Sequence, residues 1–276
     1  MDTLRRHYPE YLMEAAGLGI FMICACVVTT LLEHPASPLR QAISDSLLRR
    51  FSIGVAMGLT ASTIVYSPWG KQSGAHLNPA FTLTFFRLGK VKSWDAFFYI
   101  LAQFIGGLIG LVLAALILKD ALAHPTINYL VTKPGTSGEV VAFFAELMLS
   151  FGMMLMVLFV SNSRKLNKYT GLFAGGLIAI YITVEAPLSG MSMNPARSLA
   201  SAIPAQVATG LWIYFTAPLL GMFFAAEVYV RLMGKKAVKC AKLHHDNNFR
   251  CIFRCNYRRS VSVDGRWDLS DKLPSP

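Results

Sequence analysis

Six stretches of this chain, at about 11–32, 47–67, 94–118, 139–160, 170–188 and 208–232, are each close to the twenty apolar residues that cross a bilayer as a helix. A chain with six such runs must satisfy its backbone hydrogen bonds inside lipid, and helices do that within each segment. The composition agrees: only 15% of residues are charged, against about 25% in a soluble domain. The first run is too long for a signal-peptide core and no small-residue cleavage site follows it, so it is expected to stay in the protein as a membrane helix.

Two further apolar stretches, at about 78–88 and 194–203, each open with Asn-Pro and are too short to span. Short segments of this kind between full spans read as re-entrant half-helices. Asn is a favoured helix cap and Pro suits the first helical position, where its missing N–H costs nothing. Taken singly, each tripeptide could be an ordinary helix start. Two copies with a shared Ser-Gly lead, Ser73-Gly74 and Ser189-Gly190, in equivalent places are a stronger signal.

The chain repeats itself. Glu14 in the first run matches Glu146 in the fourth, and Asn78-Pro79-Ala80 recurs as Asn194-Pro195-Ala196. Ala102-x-x-x-Gly106 recurs as Ala217-x-x-x-Gly221. Each half holds three spans, an odd number, so the halves must insert with opposite orientation. Inverted repeats of this kind build a site near the bilayer midplane. Small residues, among them Gly106-Gly107-x-x-Gly110 and Gly171 to Gly176, would let helices pack closely.

Orientation follows from the basic residues of the short loops. Arg5, Arg6, Lys71, Arg87, Lys90, Lys92, Arg164, Lys165 and Lys168 fall on one side with the tail. Both termini are therefore expected in the cytoplasm, and Arg40, Arg49 and Arg50 weaken the bias without reversing it. From Arg231 to Pro276 there are eleven Lys and Arg against four Asp, a large share of the chain's net charge of +11. Beside a membrane helix such a tail reads as facing lipid headgroups rather than nucleic acid. The expected organisation is a cytoplasmic N-terminus at 1–10, a membrane domain at 11–232 and a disordered basic tail at 233–276. The repeats are placed at about 11–118 and 139–232.

These residues identify a resemblance. The two Asn-Pro-Ala segments, Glu14, Glu146, Ala102-Gln103 and Ala217-Pro218 are similar to those of the aquaporin, or major intrinsic protein, family, over about residues 8–232. The resemblance implies an all-α membrane protein of six transmembrane helices plus two half-helices. It implies that the half-helices meet N-terminus to N-terminus, with both Asn amides in a single-file pore, and that members form homotetramers in which each subunit carries a pore. Two helix dipoles facing the pore centre, each worth about half a charge, would repel a cation or proton there while neutral water passes. Arg197 would add a fixed cation at an outer constriction completed by Met57, Ile182 and Met191. His76 is expected at the cytoplasmic mouth.

Glu14 and Glu146 are costly inside a membrane. They could be the proton-relay acids of a coupled secondary transporter, but their symmetric placement favours buried acceptors that hold the loops entering the half-helices. The expected function is a passive water channel in a cell membrane, excluding protons and ions, with glycerol or other small neutral solutes as the alternative permeants. Water-selective members generally carry an aromatic residue and a His where Met57 and Ile182 stand here, which suggests relaxed selectivity. Against that, Ser198 stands where glycerol facilitators typically carry Asp. No nucleophile, base or nucleotide-loop pattern indicates an enzyme, and no cofactor is expected.

Five cysteines make no disulfide framework. Cys240, His244, His245, Cys251 and Cys255 offer soft ligands at Cys-x3-His and Cys-x3-Cys spacings. Structural zinc sites more often show tighter Cys pairs, so free or lipid-modified thiols are expected and no metal.

Overall fold

A computed structural model describes residues 2–245 and 247–257, together with the backbone of 260–261 and 267–268. Repeat one comprises α1 (Asp2–Glu33), α2 (Pro38–Ala42), α3 (Ser46–Tyr66), α4 (Pro68–Ser73), α5 (Pro79–Arg87) and α6 (Ser93–Leu118), and a short α7 (Asp120–Ala123) follows. Repeat two comprises α8 (Gly138–Ser161), α9 (Thr170–Ser189), α10 (Pro195–Ala205) and α11 (Leu211–Met233). Two antiparallel strands of two residues each, β1 (Ser260–Val261) and β2 (Trp267–Asp268), lie in the tail. The protein is thus a helical membrane protein, with α1, α3, α6, α8, α9 and α11 as long helices and α5 and α10 as the two short ones.

Five of the long helices are long and apolar enough to cross a membrane. The sixth, α3, has 21 residues, about 31 Å of helix, and carries Arg49 and Arg50 near its start. At the N-terminus α1 runs unbroken from Asp2 through Pro9, so the segment before the first apolar run is helical as well. His7 Nδ1 and the Tyr11 hydroxyl both bond the buried Asp95 carboxylate, at 2.6 and 2.7 Å, which ties this extension to α6.

Each repeat is built on one close helix pair, α1 with α6 and α8 with α11, and the repeats join chiefly through α3 against α9. Small residues set these approaches. A Cβ at Gly106 or Gly110 would run into the α1 backbone at Ala15 or Gly19, and one at Gly221 into that of Leu147 on α8. Where α3 meets α9, Gly58 and Gly175 face each other with the same lack of room. Backbones this close gain dispersion contact that lipid cannot supply. Large apolar side chains such as Leu59, Ile105, Ile109, Leu116, Val184 and Phe224 stay exposed on the outside, as a lipid-facing surface requires.

The tail departs from expectation. Residues 234–245 and 247–257 are docked beside the start of α1, with Val238, Cys240, Ala241, Leu243, Ile252 and Phe253 all buried. The cause is apolar spacing hidden within a basic composition. Lys239, Arg250 and Arg254 keep their charged ends accessible or paired, while Cys240, Ala241, Leu243, Ile252 and Phe253 between them pack inward. Arg250 bonds Glu10 at 2.9 Å, Lys239 N bonds Asn162 at 2.7 Å, and Arg254 N bonds Lys90 O at 2.9 Å.

Candidate functional site: a pore between two half-helices

The half-helices begin where the sequence places them. Asn78 caps α5, its Oδ1 accepting from Ala80 N at 2.8 Å, and Asn194 caps α10 by accepting from Ala196 N at 3.0 Å and Arg197 N at 3.3 Å. Because each Oδ1 faces a backbone donor, each Nδ2 must face outward from its helix. Each then donates across the molecule: Asn78 Nδ2 to Met193 O at 2.6 Å and Asn194 Nδ2 to Leu77 O at 2.7 Å. The two helix N-termini are clasped head to head by this exchange. It also refines the expected role of the amides, since one N–H of each is committed to the opposite loop and only the second remains for a passing molecule.

The loops entering the half-helices are strained in matching ways. Ala75 and Leu77 in one, and Met191 and Met193 in the other, have φ of 54°, 52°, 45° and 53°, a region L residues seldom adopt. Conformations of this kind cost about 1–3 kcal/mol each and persist only under tertiary restraint. The buried glutamates supply that restraint. Glu14 accepts from Ser73 Oγ at 2.8 Å, His76 N at 3.0 Å, Leu77 N at 2.7 Å and Gln103 Nε2 at 2.9 Å. Glu146 accepts from Ser189 Oγ at 2.7 Å, Ser192 N at 2.7 Å and Met193 N at 2.6 Å. Tyr99 and Tyr214 complete the pattern, their hydroxyls donating to Ser73 O and Ser189 O. Pro218 stands in repeat two where Gln103 stands in repeat one, so Glu146 lacks the fourth donor.

A cavity of about 610 Å³ runs between the repeats, from Glu33, Arg49 and Arg50 on one face to His76 and Leu243 on the other. Asn78 and Asn194 line it, as do Met57, Ile182, Met191 and Arg197. Met57 and Ile182 belong to one apolar cluster on the wall. Among the described residues, Arg197 Nη1 is buried without a hydrogen-bond partner. Neither Glu14 nor Glu146 is on the lining among the described residues, and all four carboxylate oxygens are occupied by loop donors. Ser198 is fully buried and bonds Thr132 and Ser192 at 2.7 and 2.6 Å, so it braces the loop behind the pore.

His76 sits at the end of the cavity, but beneath the tail. Its Nε2 faces Ala241 O at 2.8 Å and so donates there, while Nδ1 lies 3.1 Å from Thr82 Oγ1. Its ring lies between those of Phe85 and Phe253, with centroids 5.3 Å away on each side and interplanar angles of 19° and 14°. Leu243 N also bonds Gly74 O, at 3.2 Å. Sequence reasoning missed Ala241, Leu243 and Phe253 as pore-mouth residues. The available signal was the apolar residues set among the tail's cysteines.

The tail cysteines are not scattered thiols either. Cys240, His245, Cys251 and Cys255 converge, with one ligand atom from each all within 4.8 Å of one another, while His244 packs separately against Tyr66. The expectation of no metal rested on linear spacing, and folding brings together what that spacing kept apart. Burial pushes the Cys240 thiol up, whereas hydrogen bonds from Cys240 and Cys255 hold Cys251 low.

Two inverted repeats, two capped half-helices joined through their asparagines and a cavity between them define a membrane channel rather than an enzyme. The chain belongs to the Major intrinsic protein family, whose profile matches residues 4–229. It is 34% identical over 228 residues to Aquaporin NIP2-3 of Zea mays, covering 82% of this chain and 73% of that protein. With Aquaporin NIP2-2 of the same plant it shares 35% over 223 residues, covering 80% and 74%. Among solved structures, that of the aquaglyceroporin from Plasmodium falciparum superimposes with a TM-score of 0.69 at 20% identity, over 84% of this chain and 98% of that one. At that identity the likeness concerns the fold.

Proposed function

We propose that this channel conducts water in single file, admits small neutral solutes less readily, and excludes protons and ions. The observation that carries the reading is the clasp of two half-helix N-termini at Asn78 and Asn194 on the wall of one cavity. Each N-terminus presents about half a positive charge, so the centre of the pore repels cations while an uncharged molecule keeps a hydrogen-bond donor there. Arg197, with an unpartnered buried nitrogen, adds a full charge to the outer part of the same path. Its companions Met57, Ile182 and Met191 contribute no donors, which supports passage of a less polar solute such as glycerol as a second activity. The relatives are named aquaporins, consistent with water as the first permeant.

The start of α1 and the described part of the basic tail share one face, and the basic loops support assigning that face to the cytoplasm of the cell membrane. The pore is enclosed by a single chain, consistent with a homotetramer in which every subunit conducts. Stopped-flow swelling of proteoliposomes tests the reading, with water and glycerol gradients compared on the full chain and on a Leu243→Ala/Phe253→Ala variant. Fast, non-saturating water flow without proton leak is the expected result for the variant, whose mouth is no longer covered by Leu243 and Phe253, with slower flow of the same kind through the full chain. Saturable uptake driven by an ion gradient would instead identify a transporter.

A further inference from the structure

The docked tail carries four side chains that the channel reading does not use, and they point at one another. Cys240 Sγ lies 3.5 Å from Cys251 Sγ, and Cys255 Sγ lies 3.0 Å from His245 Nε2. These are not disulfide distances, which are about 2.05 Å, and the cysteines are free. A tetrahedral ion with bonds of about 2.3 Å to sulfur and about 2.0 Å to nitrogen separates its ligands by roughly 3.5–3.8 Å. Adjustments on the order of 1 Å would bring all four atoms onto such a sphere.

The surroundings favour the same chemistry. Between Lys235–Ala237, a single helical turn, and Tyr257 the described tail has no regular secondary structure, yet Cys240 is 2% exposed and Ala241 0%. A segment this short, with so small a core, needs a staple to hold one conformation. Three thiolates and one neutral imidazole around a divalent ion leave one net negative charge, and Lys239, Lys242, Arg250 and Arg254 are placed in the same segment to offset it. Tyr257 stacks on His245 at 4.2 Å between centroids and fixes the plane of its ring.

We propose that Cys240, His245, Cys251 and Cys255 ligate a thiolate-favouring divalent ion of the zinc class, and that the bound ion pins the tail across the inner mouth of the pore. The second half of the proposal rests on the channel reading above and follows from where the ligands fall. Cys240 and His245 close a loop that holds Ala241, the partner of His76, and Leu243, which lines the end of the cavity. Cys251 and Cys255 close a second loop whose middle residue, Phe253, stacks on His76. Each ligand pair therefore fixes one of the two contacts that cover the mouth. Removing the ion frees both loops together, and the tail becomes a plug whose closure depends on metal and on reduced thiols.

The test uses the full chain, purified through a tag without histidines. Elemental analysis should find one zinc per chain, and cobalt in its place should show the sulfur-to-cobalt absorption of a tetrahedral thiolate site. Cys251→Ser and Cys255→Ser, which leave the pore lining intact, should lose both signals. In proteoliposomes water permeability should be low with zinc bound, rise several-fold on chelation, and fall again when zinc is restored. The two serine variants should stay open and ignore zinc.

A reduced full chain that carries no zinc and takes up no cobalt overturns the site, as does a Cys240–Cys251 disulfide in the native protein. Equal permeability of the loaded and stripped wild type overturns the clamp. If no form conducts, including Leu243→Ala/Phe253→Ala, the channel reading has failed and the clamp fails with it. The metal count is read separately and decides the site alone.

Discussion

At Asn194 one side chain caps α10 through its oxygen and holds the opposite loop through its nitrogen. Asn194→Ala removes a cap worth about 1 kcal/mol and leaves Leu77 O without its donor, costing about 1–3 kcal/mol more if no water replaces it. Thermal unfolding in detergent should move several degrees lower, and water flow per assembled molecule should fall. Unchanged flow and midpoint would refute the clasp. Arg197 acts differently, as a charge with few protein partners. Arg197→Val should leave water flow largely intact while raising proton leak, read with a pH dye inside the vesicles. An equal leak in both proteins would remove Arg197 from the barrier. On the same wall, Ile182→His should lower any glycerol flux more than water flux, because it adds a donor and narrows an apolar stretch.

At the scale of elements, two glutamates hold two strained loops, and helix pairs approach because their contact residues are small. Glu146→Gln keeps one acceptor oxygen for the Ser192 and Met193 amides, whereas Glu146→Leu leaves both buried N–H groups unpaired. The glutamine variant should assemble and conduct at reduced level; the leucine variant should fail to reach the membrane folded, measured by size-exclusion profile. Comparable profiles for the two would show that the loops do not need the acceptor. Gly221→Val tests the helix pair, since its Cβ would meet the Leu147 backbone rather than a side chain that can turn away. Overpacking of this kind costs about 1–3 kcal/mol, and a lowered unfolding temperature should report it.

Across the whole molecule, Glu10, Asn162 and Lys90 bind the docked tail at one end, while Glu33, Arg40 and Arg49 form a small ion cluster at the other. A maleimide that cannot cross membranes should label Ser137→Cys in intact cells, and Ser163→Cys only after permeabilisation. The reverse pattern would invert the orientation. At the end of the cavity that holds His76, Leu243 of the docked tail forms part of the lining.

Much of this was legible along the chain. Apolar runs of bilayer length, two Asn-Pro starts and a repeated buried acid determine the helical fold, the inverted halves and the places where the half-helices begin, because each is a local or periodic signal. Four things were decided only in three dimensions. The asparagine amides are half spent on the opposite loop, since a buried carbonyl there needs a donor that only the other repeat can supply. Glu14 gains a fourth donor that Glu146 lacks, because Gln103 and Pro218 occupy the same place in otherwise equivalent repeats. The tail reads as a solvated basic segment until Leu243, Ile252 and Phe253 find the mouth of the pore. Its cysteines look badly spaced for a metal until the chain turns back on itself, because ligand geometry is set by distance in space and not by separation in sequence.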